Sequence, residues 1–243
     1  MKKTLFGIFL VVMGLVSCNK NTYDVLIVGG GASGTMAGLQ AARMGSKVMI
    51  AEETVWIGGM LTSAGVSAID GNYRLRGGLF GEFTDALAEH YGGYEALKTA
   101  WVSNIMFEPS VGEAIFEQKV AAEKNITLCK EWRFESAQKT EKGWTVTFST
   151  PEGKKSIDTR ILIDGTELGD VAKACGIKYH IGFDPKSYTG EKMAFEVARN
   201  IVQDLTMVMT LKDYGPGADM TIEKPEGYDI NNYVNCCINP LNT

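Results

Sequence analysis

The sequence predicts an α/β fold on a mostly parallel sheet, and three observations within residues 23–59 carry that expectation. Residues 25–28, Val-Leu-Ile-Val, form a short apolar run with the β-branched enrichment of a buried strand. Gly29, Gly31 and Gly34 then follow with G-x-G-x-x-G spacing, and helix-forming residues 37–44 lead to Gly45, a natural stop. A second apolar run, residues 48–51, ends at Glu52. Strand, glycine turn, helix, strand, acid is the order of the dinucleotide-binding βαβ unit of Rossmann-like folds.

Each residue of that unit has a physical task. Gly29 permits the tight turn out of the strand, Gly31 lets a pyrophosphate approach bare backbone, and Gly34 lets the helix pack closely on the strand. Gly38 lies one helical turn further on, on the same face as Gly34, and extends that contact. The helix N-terminus, with Ala32 and Ser33, offers free N–H groups and a partial positive charge to phosphates. Glu52, with Glu53 beside it, is placed to accept hydrogen bonds from an adenosine ribose, and its charge disfavours a 2′-phosphate.

A chain of 243 residues is long enough for one large domain or two small ones. A net charge of −5 with no basic cluster argues against a nucleic-acid partner. His90 and His180 are the only histidines, so no histidine-rich metal site is expected. The cysteines form no C-x-x-C, which removes the thioredoxin-like and zinc-knuckle readings. Cys129 and Cys175 read as buried free thiols, and the adjacent Cys236 and Cys237 would make a strained bridge with each other.

Residues 1–17 read as a targeting segment. Lys2 and Lys3 precede an apolar run, residues 5–16, that is too short to span a bilayer. Leu15-Val16-Ser17-Cys18 resembles the lipobox of bacterial lipoproteins. That resemblance implies cleavage before Cys18 and acyl chains on it, together enough for a stable membrane anchor. Residue 19 is Asn and not Asp, which favours the outer membrane over retention at the inner one; the other envelope readings are periplasmic or exported. Residues 18–22 are then a short tether. An ordinary signal peptide that happens to carry a cysteine is the competing reading.

Further along, residues 78–91 show helical spacing of Phe80, Phe83, Leu87 and His90, with His90 a capping or surface residue before Gly92-Gly93. A helix opens at Glu108-Pro109-Ser110, where Ser110 and Glu113 have capping-box spacing and Val111, Ala114, Ile115 and Val120 form the expected buried stripe. Residues 126–129 read as a strand. Turn signals at Lys142-Gly143 and Pro151-Glu152-Gly153 divide residues 133–140, 144–149 and 154–158 into a three-stranded antiparallel meander. Residues 160–164 are a separate returning strand, followed by a turn into a helix at 171–175. Strands are expected at 178–184 and 207–211, and beyond Asp213 the chain is turn-rich, with Pro216, Pro225 and Pro240.

Gly58-Gly59, about six residues beyond Glu52, resembles the FAD-dependent oxidoreductases of the glutathione-reductase-like type. The runs GGMLTSAGVSAIDGN and GLFGEF extend that resemblance to the bacterial FAD-dependent oxidoreductases in their lipoprotein form, over residues 23–206. The resemblance implies bound FAD, with Gly58, Gly59 and Met60 along its ribityl side and Phe134 by the adenine. It also implies Asp164, Gly165 and Thr166 at the cofactor. Where family members often read Asp-Ala-Thr-Gly, this chain has Gly165 and Glu167, so a side chain stands where backbone would approach the cofactor.

The resemblance further implies an enzyme that transfers a hydride between flavin N5 and a small organic substrate, with an electron acceptor it does not identify. Residues 23–176 would be the FAD-binding domain, with a helical insertion at 77–105 and the meander at 132–158. Residues 177–243 would be an incomplete substrate-binding region of a C-terminally truncated member. Arg74 and Arg76 are candidates for an anionic substrate, with a solvated loop the commoner reading of such residues, and no catalytic acid or base stands out. One alternative is a non-catalytic, nucleotide- or carbohydrate-associated surface lipoprotein that keeps the fold. Another is an NAD-dependent enzyme, against which the Gly-Gly pair argues.

Overall fold

The computed structural model describes residues 22–233, apart from residues 72, 100–102, 207, 209 and 210. The chain divides after Val208 into two units. In order, and apart from 3₁₀ turns at Gly59–Leu61 and Tyr94–Leu97, the elements of the first are β1 (Thr22–Val28), α1 (Ala32–Arg43), β2 (Val48–Ala51), β3 (Ala68–Ile69) and α2 (Gly78–Tyr91). Then follow β4 (Ile105–Met106), α3 (Pro109–Ala122), β5 (Ile126–Cys129), β6 (Arg133–Thr140), β7 (Gly143–Thr150), β8 (Gly153–Asp164), α4 (Asp170–Ala174) and α5 (Lys186–Thr189). The described part of the second unit holds a single 3₁₀ turn, Ile230–Tyr233.

Six strands form one sheet in the order β5-β2-β1-β8-β7-β6. β5, β2, β1 and β8 run parallel, and β8, β7 and β6 alternate in direction. β1 lies in the parallel half, and its side chains feed both faces, as the period of two demands. Val25 and Ile27 pack with Leu39, Phe83, Leu87 and Phe116 under the long helices. Leu26 and Val28 join Val146, Phe148, Ile157 and Val171 on the opposite face. Phe83 and Phe116 stack at 4.4 Å between ring centroids, which locks α2 onto α3.

The expected α/β class and the Rossmann-like parallel sheet are present. The meander differs from expectation in one respect: its third strand and the returning strand are a single twelve-residue strand, β8. The first half of β8 pairs antiparallel with β7, from Gly153 opposite Thr150 to Thr159 opposite Trp144. Its second half pairs parallel with β1, from Asp158 opposite Thr22 to Asp164 opposite Val28. Thr159 is buried and carries no turn chemistry, so nothing interrupts the strand as it changes partner. A methyl at Gly143 would lie 2.0 Å from the Thr159 carbonyl oxygen, so this handover needs a glycine opposite it.

Other expectations are corrected. Helix α1 begins at Ala32, directly after the glycine turn. The capping box at Ser110 does not form: the N-cap of α3 is Glu108, and Glu113 instead bonds the Lys130 ammonium at 2.9 Å, with Glu117 on the same ammonium. The buried stripe of α3 includes Phe116 and leaves Ala114 exposed. No strand forms at residues 178–184; the backbone there makes one isolated bridge, Phe183 with Arg199. The expected strand at 207–211 falls largely outside the described residues. His90 is exposed near the end of α2, which Gly92 closes in the left-handed conformation.

Candidate functional site

A cavity of about 730 Å³ opens at the carboxyl ends of β1, β2 and β8, where an open parallel sheet places ligands. Four segments build it. The first is the turn from β1 into α1. Gly29 has φ +96°, and a methyl there would lie 2.3 Å from the Gly165 carbonyl oxygen, so the fold itself requires this glycine. Gly31 is different. Its φ is −58°, and a methyl there would meet only Glu167 Oε1 at 3.3 Å and the Gly165 oxygen at 3.8 Å. Its missing side chain therefore leaves space on the cavity wall that protein backbone does not fill.

The second segment is the acid after β2. Glu52 is 8% exposed and both of its oxygens are engaged. The Gly30 N–H donates to Oε2 at 2.7 Å and the Thr54 N–H to Oε1 at 2.8 Å. The carboxylate thus ties the glycine turn to the loop after β2. Each of its oxygens keeps a second lone pair.

The third segment is the Gly58-Gly59 loop. The Gly58 N–H donates to the Gly30 oxygen at 2.8 Å, which lays this loop beside the glycine turn as an isolated parallel bridge, Gly31 with Gly58. The missing side chain of Gly58 is explained by the core, since a methyl would lie 2.6 Å from Thr62 and 2.8 Å from Phe116. Gly59 faces the cavity and sits against Gly31, whose Cα would be 2.9 Å from a Gly59 methyl.

The fourth segment follows β8. Asp164 Oδ1 accepts from the Thr166 N–H at 2.9 Å and the Thr166 hydroxyl at 2.6 Å, and Oδ2 accepts from the Ala172 N–H at 2.7 Å. The Asp170 N–H donates to the Thr166 hydroxyl at 2.8 Å. The Asp164 carboxylate is spent on shaping the loop and capping α4.

Of the residues singled out from the sequence, Gly29, Gly31, Glu52, Glu53, Gly59, Met60, Phe134, Gly165 and Thr166 stand together on the cavity wall. Ser33 is exposed in the first turn of α1, with Ala32 half-buried before it. Gly34 is packed beneath the Gly29 carbonyl, and Gly58 and Asp164 support the wall from behind. Arg74 and Arg76 are not brought to the cavity; the Arg76 guanidinium lies 3.4 Å from the centroid of the Tyr94 ring, and Arg74 lies beside Tyr73. Cys18 lies outside the described residues.

Sequence reasoning passed over Trp132, Arg133 and Lys173, which also line the cavity. Trp132 flanks Phe134 across Arg133 at the start of β6, and that aromatic pair was the available signal. Cys129 and Cys175 are free and half-buried. Burial pushes both thiols up, and for Cys175 the charge of Asp164 adds to the effect, so both stay protonated at neutral pH.

Residues 24–240 match the family model described as FAD dependent oxidoreductase. The chain belongs to that family. Among solved structures, the OxyS anhydrotetracycline hydroxylase from Streptomyces rimosus is 17% identical with a TM-score of 0.50, covering 68% of this chain and 36% of that one. A flavoprotein/dehydrogenase from Cytophaga hutchinsonii is 18% identical with a TM-score of 0.44, covering 64% of this chain and 42% of that one. The match covers less than half the length of either, and at 17% identity the first speaks to the fold alone. FAD is the cofactor of the family, and the lining suits it: Gly31, the N-cap of α1, and Gly59 add no side chain, and the Glu52 carboxylate keeps acceptor capacity, features a diphosphate and a ribose could use.

Proposed function

We propose that this protein is an FAD-dependent oxidoreductase acting on a small organic substrate. The observation that carries the proposal is the cavity at the head of α1, where Gly31 adds no side chain and a Cβ there would meet only the end of the Glu167 side chain and one carbonyl oxygen. The N–H groups that open α1 would hold the diphosphate, and Glu52 would take the adenosine ribose. The wall around Trp132 and Phe134 would receive the adenine, and Gly59 and Met60 would run beside the ribityl chain. Bound FAD supplies a hydride acceptor and donor at N5; the chain's part is to hold it, orient it and keep water from its buried face.

The visible spectrum of the purified full-length protein tests this. Bands near ~450 and ~370 nm that leave with the small-molecule fraction after denaturation are expected, as is anaerobic bleaching by a member of a panel of amino acids, hydroxy acids and sugars. Colourless protein that takes up no added FAD would overturn the proposal. Yellow protein that no donor bleaches would point instead to a nucleotide-binding surface protein without redox turnover.

The lipobox-like Leu15-Val16-Ser17-Cys18 supports a lipid anchor at Cys18 and an outer-membrane location. Incorporation of labelled palmitate that is lost in Cys18→Ala is the expected result; equal labelling of the two proteins would refute the anchor.

A further inference from the structure

We propose that Glu167 is a gate on the diphosphate cradle: its carboxylate competes with the cofactor's diphosphate for the same place, and FAD binds by displacing it. The proposal rests on the FAD reading above and adds a residue that regulates cofactor entry.

The geometry is specific. A methyl at Gly31 would lie 3.3 Å from Glu167 Oε1, and a methyl at Gly59 would lie 2.8 Å from the same oxygen. One carboxylate oxygen therefore sits over both of the glycines whose bareness makes the cradle. It is an anion beside the N-terminus of a twelve-residue helix, where a negative charge is favoured. Two anions cannot share that place: the carboxylate and a phosphate oxygen would overlap, and like charges at van der Waals range repel even near the surface.

Moving Glu167 is cheap. The residue is exposed, and among the described residues its carboxylate has no hydrogen-bond or ion-pair partner. The loop on either side is fixed by Asp164, Thr166 and the left-handed Gly169, so the side chain can swing while the backbone stays. The gate then works by population. The observed affinity for a diphosphate is the intrinsic affinity reduced to the fraction of molecules with the carboxylate swung away.

The test compares full-length protein with Glu167→Gln and Glu167→Gly, each stripped of flavin. FAD is titrated by flavin fluorescence, and ADP and adenosine by calorimetry, with a thermal melt to confirm the fold. Glu167→Gly is expected to bind FAD and ADP about tenfold more tightly, and adenosine, which lacks a diphosphate, with unchanged affinity. Glu167→Gln keeps the bulk and loses the charge, so it should fall between. Its gain should shrink at about 0.5 M salt.

Equal or weaker FAD and ADP binding in both variants overturns the gate; weaker binding would make Glu167 a cofactor ligand instead. The two proposals fail separately. FAD bound equally by all three proteins keeps the oxidoreductase reading and removes the gate. Tighter ADP binding in the variants, with no FAD binding by any protein, keeps the gate and removes FAD. Binding of none of the ligands overturns both.

Discussion

Gly31→Val is expected to fold as the native protein does and to bind FAD at least about a hundredfold more weakly. The fold tolerates a side chain there because the backbone is at φ −58°, and the nearest atoms to a new Cβ are the movable end of Glu167 and one carbonyl oxygen at 3.8 Å. A diphosphate held at the head of α1 would not tolerate it, because the branched side chain would occupy the same space. Losing two charge-assisted contacts to a phosphate at about 1.5–3 kcal/mol each accounts for the factor. Urea unfolding should show a loss of no more than about 1 kcal/mol, the cost of a β-branched residue at the N-cap of α1. Flavin retained at native affinity in a folded Gly31→Val protein would show that the diphosphate lies elsewhere.

Gly34→Ala is expected to have the opposite signature, a large loss of stability. A methyl at Gly34 would lie 2.0 Å from the Gly29 carbonyl oxygen and 3.2 Å from Ile27. The first of these is a backbone atom and a Cβ has no rotamer to change, so α1 would have to lift off β1. A cost of roughly 3 kcal/mol or more follows, at the upper end of overpacking effects. Gly38→Ala is the internal comparison. Its methyl would meet the flexible tips of Ile50 at 2.6 Å and Ile27 at 3.1 Å, which can rearrange, for about 1–2 kcal/mol. Urea midpoints that rank Gly38→Ala as the more damaging change would refute this account of the α1–β1 contact.

The two glycines illustrate what the sequence could and could not disclose. The G-x-G-x-x-G spacing located the turn and assigned Gly29 and Gly34 to the fold and Gly31 to a ligand; the structure adds the distances, with the chain's own backbone against a methyl at the first two and not at Gly31. The expected bounds of β2, α2 and β5 coincide with those observed, because each is a periodic run closed by a local stop. Where long-range partners decide, local signals misled. Ser110 and Glu113 have capping-box spacing, yet Glu113 turns to Lys130 beyond the end of β5. Residues 178–184 alternate like a strand, but a strand needs a neighbour, and the backbone there makes only the single Phe183–Arg199 bridge. At the site, Trp132 had only its spacing to Phe134 as a signal, and Arg133 and Lys173 had none. They reach the cavity because β6 begins and α4 lies beside it.

The shared strand β8 means that the hairpin insert is not a removable cassette. Excising residues 132–158 would discard the stretch that holds β7 while leaving Thr159 to Asp164 to dock on β1 as a truncated, one-sided border. That border would be a raw row of donors and acceptors, open to pairing with other molecules. Shortened homologues of this architecture would therefore need a replacement strand at that position, and recombination breakpoints should avoid the middle of β8.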